Sequence, residues 1–193
     1  SYEFSLGNQR VFVNSGISEY GLSEERLRQR RTAAHNTVVI NELNSSQVWS
    51  GFRVAKRASV LNRIVNRVVD NRVRFSAAHN GFKKQGVNCI HQRDWLAENG
   101  SVTVIDRLIG NYTNALGYLH LHPDVVVLNI ADGQIQLALN DFDILIKVSG
   151  ANVSIEDTTW HPQFGIVINN KKLIFSFTKS TMSIAITWQK NGC

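Results

Sequence analysis

Short runs of alternating apolar and polar residues, separated by turn residues, constrain the fold of this chain most strongly. In the first run Tyr2, Phe4 and Leu6 share one face before Gly7 and Asn8 turn the chain. Alternation places successive side chains on opposite faces of a β-strand, and a repeat of about 8–12 residues is typical of sandwiches and barrels. The other predicted strands cover residues 11–13, 37–40, 48–54, 57–69, 73–79, 89–96, 102–108, 118–121, 125–130, 135–139, 141–148, 166–168, 173–177 and 183–188.

Turn residues between these runs indicate antiparallel hairpins. Hairpin signals occur at Glu98-Asn99-Gly100, at Ala131-Asp132-Gly133 and at Asn169-Asn170, where residues that tolerate positive φ allow a sharp return. Only residues 22–31 fit a helix, with Ser23 as its cap, and an exposed loop is the alternative there. We therefore predict an all-β fold, a large antiparallel two-sheet β-sandwich of about a dozen strands, formed by residues 1–193 as a single domain.

Composition limits the expected classes of binding partner but does not decide among them. The chain has 43% hydrophobic residues, enough for a core, and a formal net charge of +6, which favours an anionic partner such as nucleic acid, an anionic membrane surface or an acidic polysaccharide. No stretch approaches the roughly 18 apolar residues of a membrane span. The arginines are not interleaved with aromatics as in RNA-binding motifs, so nucleic acid is not expected. Whether Cys89 and Cys193 pair stays open.

A series of motifs carries a family resemblance. The motifs, in chain order, are VFVNSGISEYG with RLRQRRTAAHNTVVI, then QVWSGFRVAKRASV, AAHNGFKKQGVNCIHQRDW, DRLIG and HLHPDV. Together they resemble the C-terminal β-sandwich domain of the heparinase II/III-like polysaccharide lyases. The resemblance extends from Ser1 to about Asp124 and is thin beyond that point.

The resemblance implies an enzyme built from two parts. In the family an α/α toroid supplies most catalytic groups and the β-sandwich forms the second wall of the cleft. The reaction is β-elimination on an acidic glycan, in which a base removes the proton beside the uronate carboxylate and an acid protonates the leaving oxygen. The family's His-x-His pair lies just before the strand that residues 1–6 resemble. Because that pair and the toroid are absent from this chain, we expect the chain alone to be inactive. The resemblance further implies that the parent protein is periplasmic or secreted.

The same resemblance implies two candidate metal ligands. His35 matches the position that ligates a structural zinc in metal-containing members, and Asn14 matches the position of an aspartate ligand. A neutral amide is a poor zinc ligand, so a structural divalent metal in the full-length protein could be zinc or the harder calcium, or be absent. The alternative is that His35 and Asn14 hydrogen-bond to each other and fix the cleft wall.

Arginines form the candidate substrate-binding set. They are Arg26, Arg28, Arg30, Arg31 and Arg53. A guanidinium pairs in a bidentate manner with carboxylate or sulfate, so a dense set beside His35 suits an acidic glycan. A solvated charged loop is the alternative for each of these arginines. Tyr20, in a turn-rich stretch, is either a glycan contact or a packing residue.

Aromatic residues and the remaining histidines allow two readings each. Trp49, Phe52 and Trp95 could stack on sugar rings, although residues at alternating positions usually belong to the core. The motif at His79 is interpreted as a structural turn. His120 and His122 share a strand face, which permits metal binding, but a hydrogen-bonded structural role is favoured.

Two functional hypotheses follow. The first is the β-sandwich portion of a polysaccharide lyase that holds an acidic polysaccharide against the N-terminal catalytic toroid of its parent chain. The second is a non-catalytic carbohydrate-binding module for acidic polysaccharides.

Overall fold

The computed structural model describes residues 1–68 and 72–191. Nearly all of its regular structure is β, as the alternation predicts. The strands are β1 (Phe4–Leu6), β2 (Gln9–Phe12), β3 (Val38–Ile40), β4 (Val48–Trp49), β5 (Arg53–Val54), β6 (Val60–Val68), β7 (Arg72–His79), β8 (Cys89–Glu98), β9 (Ser101–Gly110), β10 (Ala115–His120), β11 (Val126–Ala131), β12 (Gln134–Leu139), β13 (Phe142–Ser149), β14 (Ala151–Trp160), β15 (Ile168–Phe177) and β16 (Thr181–Lys190). The helices are α1 (Glu24–Arg30), a 3-10 turn (Thr32–Ala34) and α2 (Gly81–Lys84).

Two antiparallel sheets form a sandwich, which confirms the predicted fold class. The larger sheet has eight strands in the order β11-β12-β13-β16-β9-β8-β7-β6, and the smaller has four in the order β14-β15-β10-β3. The hairpins β1–β2 and β4–β5 stand outside these sheets. An isolated bridge between Phe12 and Leu121 attaches β2 beside the end of β10.

The main hydrophobic core lies between the two sheets. Leu119, Leu173 and Phe175 of the smaller sheet pack against Ile146 and Ile186 of the larger one. A second, smaller cluster includes Val38, Phe82, Cys89 and Leu108. It lies where β3 and α2 cover β8 and β9, directly below the chain segment that carries His35.

The hairpin β4–β5 corrects the prediction of a single strand over residues 48–54. Ser50 has a φ of +54°, so the chain turns back after Trp49 and pairs it with Arg53. The turn residues Ser50 and Gly51 interrupt the alternation, and the interruption was not recognised in the sequence.

The predicted turn at Asn169-Asn170 is wrong. These residues lie inside β15, where they pair with Thr159 and Thr158 of β14. β14 itself was not predicted, because it alternates Ser, Glu and Thr with few large apolar residues. The hairpin signals at residues 98–100 and 131–133 are confirmed as the links β8–β9 and β11–β12.

Helix α1 is confirmed within the predicted residues 22–31. Ser23 has extended backbone angles, and its hydroxyl accepts a hydrogen bond from the Arg26 N–H at 3.0 Å. Glu24 and Glu25 lie in the first turn, where their negative charges interact favourably with the positive end of the helix dipole. No helix in the described ranges is long and apolar enough to cross a membrane. Cys193 and the end of the predicted strand 57–69 lie outside the described residues.

Candidate functional site

His35 is held by Asn14 in a defined tautomer. Its Nδ1 lies 3.3 Å from Asn14 Oδ1, and the Asn36 N–H donates to the same oxygen at 3.3 Å. The Asn14 amide nitrogen donates to Glu3 at 3.0 Å, which fixes the orientation of the amide. Since a carbonyl oxygen only accepts, Nδ1 of His35 carries the hydrogen and Nε2 keeps a lone pair. Burial lowers the pKa of His35, so the ring is neutral at pH 7.

Asn36 anchors the backbone that presents His35. Its side chain is fully buried and donates to the carbonyls of Tyr2 at 2.8 Å and Val13 at 3.1 Å. Its Oδ1 accepts from the His120 N–H at 2.7 Å and from His120 Nδ1 at 3.1 Å. One amide therefore joins the segment before β1, the segment after β2 and the end of β10 directly beside His35.

A buried ion pair supports this loop from the larger sheet. Arg93 on β8 donates to Asp106 on β9 through Nε at 2.7 Å and through a terminal nitrogen at 2.9 Å. Its other terminal nitrogen donates to the Asn36 carbonyl at 2.6 Å. Asp106 is fully buried, and the Arg93 and His91 groups hold the pKa of its carboxyl well below the usual range despite that burial.

His91 and His79 extend the network to a second wall of the His35 cleft. His91 Nε2 lies 2.6 Å from Asp106, His79 Nε2 lies 3.2 Å from His91 Nδ1, and His79 Nδ1 accepts from the Gly81 N–H at 3.3 Å. Both nitrogens of His79 are thus occupied, which agrees with its interpretation as part of a structural turn. His35 and His79 face a cleft of about 250 Å³ that also contains Thr32, Thr37 and Ser45.

His35 and Asn14 do not by themselves form a metal centre. Asn14 Oδ1 already accepts two hydrogen bonds, and within the described ranges no three His, Cys, Asp or Glu side chains are close enough to hold an ion. A zinc or calcium ion bound by His35 stays a prediction that requires further donors. The hydrogen bond between His35 and Asn14 that the alternative predicts is present, while its role in a substrate cleft stays a prediction.

Three of the five candidate arginines make contacts inside the protein. Arg26 is 9% exposed and donates to the Gly51 carbonyl at 3.1 Å. Arg28 makes a bidentate pair with Glu25 at 2.6 and 2.8 Å. Arg30 donates to the carbonyls of Trp49, Ser50 and Arg53. These contacts fix α1 and the β4–β5 hairpin, while a substrate-binding role for the three stays a prediction.

Arg31 and Arg53 are the exposed members of the set. Within the described residues the Arg31 side chain has no hydrogen bond or ion pair, and the Arg53 guanidinium carbon lies 4.7 Å from the centre of the Trp49 ring. Trp49 and Phe52 are 48% and 76% exposed. Their assignment to the core is therefore wrong, since the tight hairpin turns both side chains outward, whereas Trp95 is partly buried.

Tyr20 lies at the surface beside the start of α1. It is 71% exposed, stacks on Phe164 with ring centres 5.4 Å apart, and lies 5.6 Å from the Arg26 guanidinium carbon. The packing is real, but it leaves most of the ring accessible. A glycan contact at Tyr20 stays a prediction.

Sequence reasoning missed His161, which connects α1 to the end of β14. Its Nδ1 lies 3.1 Å from the Ile166 carbonyl, and its Nε2 lies 3.0 Å from Glu25 and 3.2 Å from Arg28 and from Thr159. The Arg28 hydrogen bond lowers the pKa of Glu25 to about 2. Glu25 and Arg28 are more than 130 positions from His161 in sequence, so no local pattern indicates these two partners.

Sequence reasoning also missed the Arg93–Asp106 pair, although the alternation along the two strands indicates it. Cys89, His91 and Arg93 alternate on the inward face of β8, and Asp106 lies between inward Val104 and Leu108 on β9. Charges of opposite sign at core-facing positions of neighbouring strands require each other as partners. His120 has the structural role predicted for it, through Asn36, and His122 packs edge-on against Trp160.

Comparison with known proteins identifies the family. Residues 1–189 match the model for the heparinase II/III-like C-terminal family. The solved structure of the heparinase III BT4657 gene product aligns with a TM-score of 0.78 at 15% identity, covering 98% of this chain and 29% of that one. Heparan sulfate lyase HepC from Pedobacter heparinus aligns with a TM-score of 0.71 at 18% identity, covering 95% and 29%.

At these identities the solved structures show a shared fold, and this chain spans about 29% of the length of each. A search of curated protein sequences gave no significant match. The family model nevertheless matches almost the whole chain. The chain therefore belongs to the heparinase II/III-like family, as its C-terminal β-sandwich domain.

Proposed function

We propose that this chain is the β-sandwich portion of a polysaccharide lyase that cleaves uronic-acid-containing glycans by β-elimination, and that it forms the second wall of the substrate cleft. Family membership supports the reaction class. The toroid of the parent chain supplies most of the catalytic groups, and the present chain positions the acidic glycan.

The observation that carries the proposal is the combination of His35 with exposed cations. His35 lines a cleft with the hydroxyl-bearing Thr32, Thr37 and Ser45, and its Nε2 lone pair accepts a hydrogen bond from a sugar hydroxyl or takes up a proton. Arg31 and Arg53 lie on the neighbouring helix end and hairpin, where a guanidinium pairs with a uronate carboxylate. In this proposal the two cations hold the glycan by its carboxylates, while the toroid supplies most of the groups that act on the reacting carbon.

Binding and turnover are tested separately. On a column of immobilised uronate polysaccharide, we expect salt-sensitive retention of the chain that weakens in the double variant Arg31→Ala, Arg53→Ala. Arg30 is left intact because it holds the hairpin backbone. Unchanged retention in the double variant would show that these two arginines do not bind the polysaccharide.

Turnover distinguishes a cleft wall from a complete enzyme. With heparan sulfate or alginate, we expect the chain alone to give no increase in absorbance from unsaturated uronate products. An increase would show that the chemistry resides in this chain. The alternative function, a binding module, predicts that the parent protein also lacks turnover, whereas the lyase proposal predicts turnover by the parent that falls on His35→Ala.

A further inference from the structure

A groove distinct from the His35 cleft lies on the outer face of the smaller sheet. It has a volume of about 700 Å³, and Arg31, Trp49 and Tyr118 lie on three of its sides. These residues follow α1, end β4 and lie in β10, so three separate elements enclose the space. The volume lies within the range of small-ligand sites, roughly 300–1,000 Å³. We call this space the Trp49 groove.

The polar side chains of the Trp49 groove are available for a ligand. The Arg31 side chain makes no hydrogen bond or ion pair within the described residues. Asn44 Oδ1 accepts from the Thr32 N–H at 2.7 Å, which leaves the two amide hydrogens of Asn44 to donate. The Asn114 side chain is exposed and likewise has no partner in the described ranges. Arg30, one residue before Arg31, is in contrast committed to three backbone carbonyls.

The aromatic side of the groove is fixed in position. Arg30 bonds Ser50 at 2.7 Å and Arg53 at 2.9 Å, and so holds the hairpin that carries Trp49. On the sheet, Lys172 Nζ lies 5.6 Å from the centre of the Tyr118 ring. Because a pyranose ring has apolar C–H faces, a positioned Trp and Tyr offer it stacking surfaces at little entropic cost.

Backbone strain lies on the rim of the same groove. Glu42 and Ser50 have φ values of +61° and +54°, in a region that non-glycine residues rarely adopt. Both line the groove. Such conformations persist where the surroundings fix them, and they cluster at ligand sites.

We propose that the Trp49 groove is a subsite for a uronate-containing glycan chain, next to the His35 cleft, with which it shares Val48. The inference rests on the proposed function and says where the glycan continues beyond the His35 cleft. Arg31 pairs with a uronate carboxylate, Trp49 and Tyr118 stack on sugar faces, and Asn44 and Asn114 donate to hydroxyls. Glu42, on the rim, accepts from hydroxyls and repels a second closely spaced carboxylate.

Titration of the isotope-labelled chain with hexasaccharides of heparosan, hyaluronan and alginate, followed by NMR, tests the subsite. Each hexasaccharide is paired with its carboxyl-reduced, neutral form. We expect shifts of the Trp49 indole signal, and Kd values about tenfold higher in Trp49→Ala and in Arg31→Ala. The Arg31→Ala effect is expected to vanish against the neutral form. Arg10→Ala removes an exposed arginine outside the groove, and its Kd is expected to stay within about twofold.

The outcomes separate the two proposals. Binding of a uronate hexasaccharide with the same Kd in wild type, Trp49→Ala and Arg31→Ala would overturn the subsite and leave the proposed function standing. Absence of binding of every uronate hexasaccharide to the wild-type chain would overturn both. Since the Arg31 side chain makes no hydrogen bond or ion pair within the described residues, its variant tests the subsite even if Trp49→Ala loosens the hairpin.

Discussion

Arg93 and Asp106 put a full ion pair in the interior of a sandwich whose other inward residues are mainly apolar. The pair is stable there because each of the three guanidinium nitrogens has a partner, with two bonds to Asp106 and one to the Asn36 carbonyl. An apolar pair of equal volume would serve the core as well. What the ion pair adds is a direct bond to the loop that carries His35.

Removing one charge of this pair is expected to cost far more than removing an exposed one. In Asp106→Asn the buried guanidinium loses its counter-charge, so the free energy of unfolding should fall by about 3–5 kcal/mol. Asp157→Asn, which removes the exposed partner of Lys171, should cost at most about 1 kcal/mol. Urea unfolding measures both, and equal losses would contradict the assigned role of the buried pair.

Two buried histidines make stability depend on pH. Burial lowers the pKa of His120 to about 3, with Lys172 adding to the effect, and burial with the neighbouring His91 lowers the pKa of His79 to about 3. In the unfolded chain both titrate near the ordinary value of about 6.5. Between these pKa values the unfolded chain binds more protons than the folded chain. The contribution of the two neutral histidines to the free energy of unfolding is therefore full above about pH 6.5. It is lost as the pH falls toward 3, by about 1.4 kcal/mol per pH unit for each histidine.

The substitution His120→Asn tests this pH dependence. Its amide can donate to Asn36 Oδ1 as Nδ1 of the ring does, but it does not titrate. The slope of unfolding free energy against pH between about 6 and 4 should fall by about 1.4 kcal/mol per unit. An unchanged slope would show that His120 is not among the groups that destabilise the fold in acid.

At the level of elements, the β4–β5 hairpin depends on one side chain of a different element. Two strands of two residues are too short to be stable alone, and Arg30 at the end of α1 adds three bonds to their carbonyls. The position of Trp49 therefore depends on where α1 ends.

Substitution of the two adjacent arginines should separate their roles. In Arg30→Gln the amides of the hairpin, including Ala55, should exchange with solvent about tenfold faster or more, because charged hydrogen bonds contribute about 1.5–3 kcal/mol. Arg31→Gln should leave these rates unchanged. Hydrogen exchange measures both sets of rates, and similar rates in the two variants would contradict the role of Arg30 in holding the hairpin.

Two glycines with similar backbone angles should respond differently to alanine. Gly16 and Gly7 have φ values of +73° and +56°, but a Cβ at Gly16 would lie 1.9 Å from the His161 carbonyl oxygen, whereas nothing lies within 4 Å at Gly7. We expect Gly7→Ala to cost about 1–2 kcal/mol from backbone strain alone, and Gly16→Ala to cost clearly more because the bridge to His161 must open. Thermal unfolding checks the difference, and equal shifts in Tm would refute the crowding argument.

Elements were predictable where the alternation involves large apolar residues, as in β8, β9, β12 and β13. The prediction failed at β14 and at the start of β15, whose outward positions carry Thr, Ser and Asn. Asn170 resembles a turn residue, yet its amide donates to the Leu121 carbonyl at 2.7 Å inside the sheet. Such a tertiary bond overrides local turn preference and has no local signature.

For the whole molecule, β6 forms an open edge of the larger sheet. β6 is the last strand of that sheet, and Val60, Ile64 and Val65 on it are 69%, 45% and 57% exposed. An edge strand with exposed apolar residues pairs readily with another chain. We expect the isolated chain to self-associate as its concentration rises.

Sedimentation velocity of Val65→Lys tests this edge. A lysine on an edge strand opposes pairing, so the variant should remain monomeric at concentrations where the wild type associates. Val167→Lys places the same charge at an exposed position outside strands and should behave like the wild type. Association of both variants to the same extent would show that the contact does not involve the β6 edge.

Most of the fold follows from the alternation, but little of the site does. The His35 and Arg31 segments carried a recognisable composition, and both lie at clefts. Which of the candidate arginines faces solvent was not predictable, because it depends on contacts such as that of Arg26 with the Gly51 carbonyl, 25 positions away. Trp49 and Phe52 were assigned inward because a continuous strand was expected, whereas the turn at residues 50–52 reverses the chain and directs both side chains outward.

Asn14 has an evolutionary consequence. Asparagine and aspartate codons differ at one base, so a single point mutation would replace the amide by a carboxylate with Glu3 and His35 as its neighbours. That exchange would bring two carboxylates and an imidazole together, the mixture of donors that divalent ions favour. We therefore expect Asn14→Asp to favour binding of a divalent ion at this position, which the present amide does not.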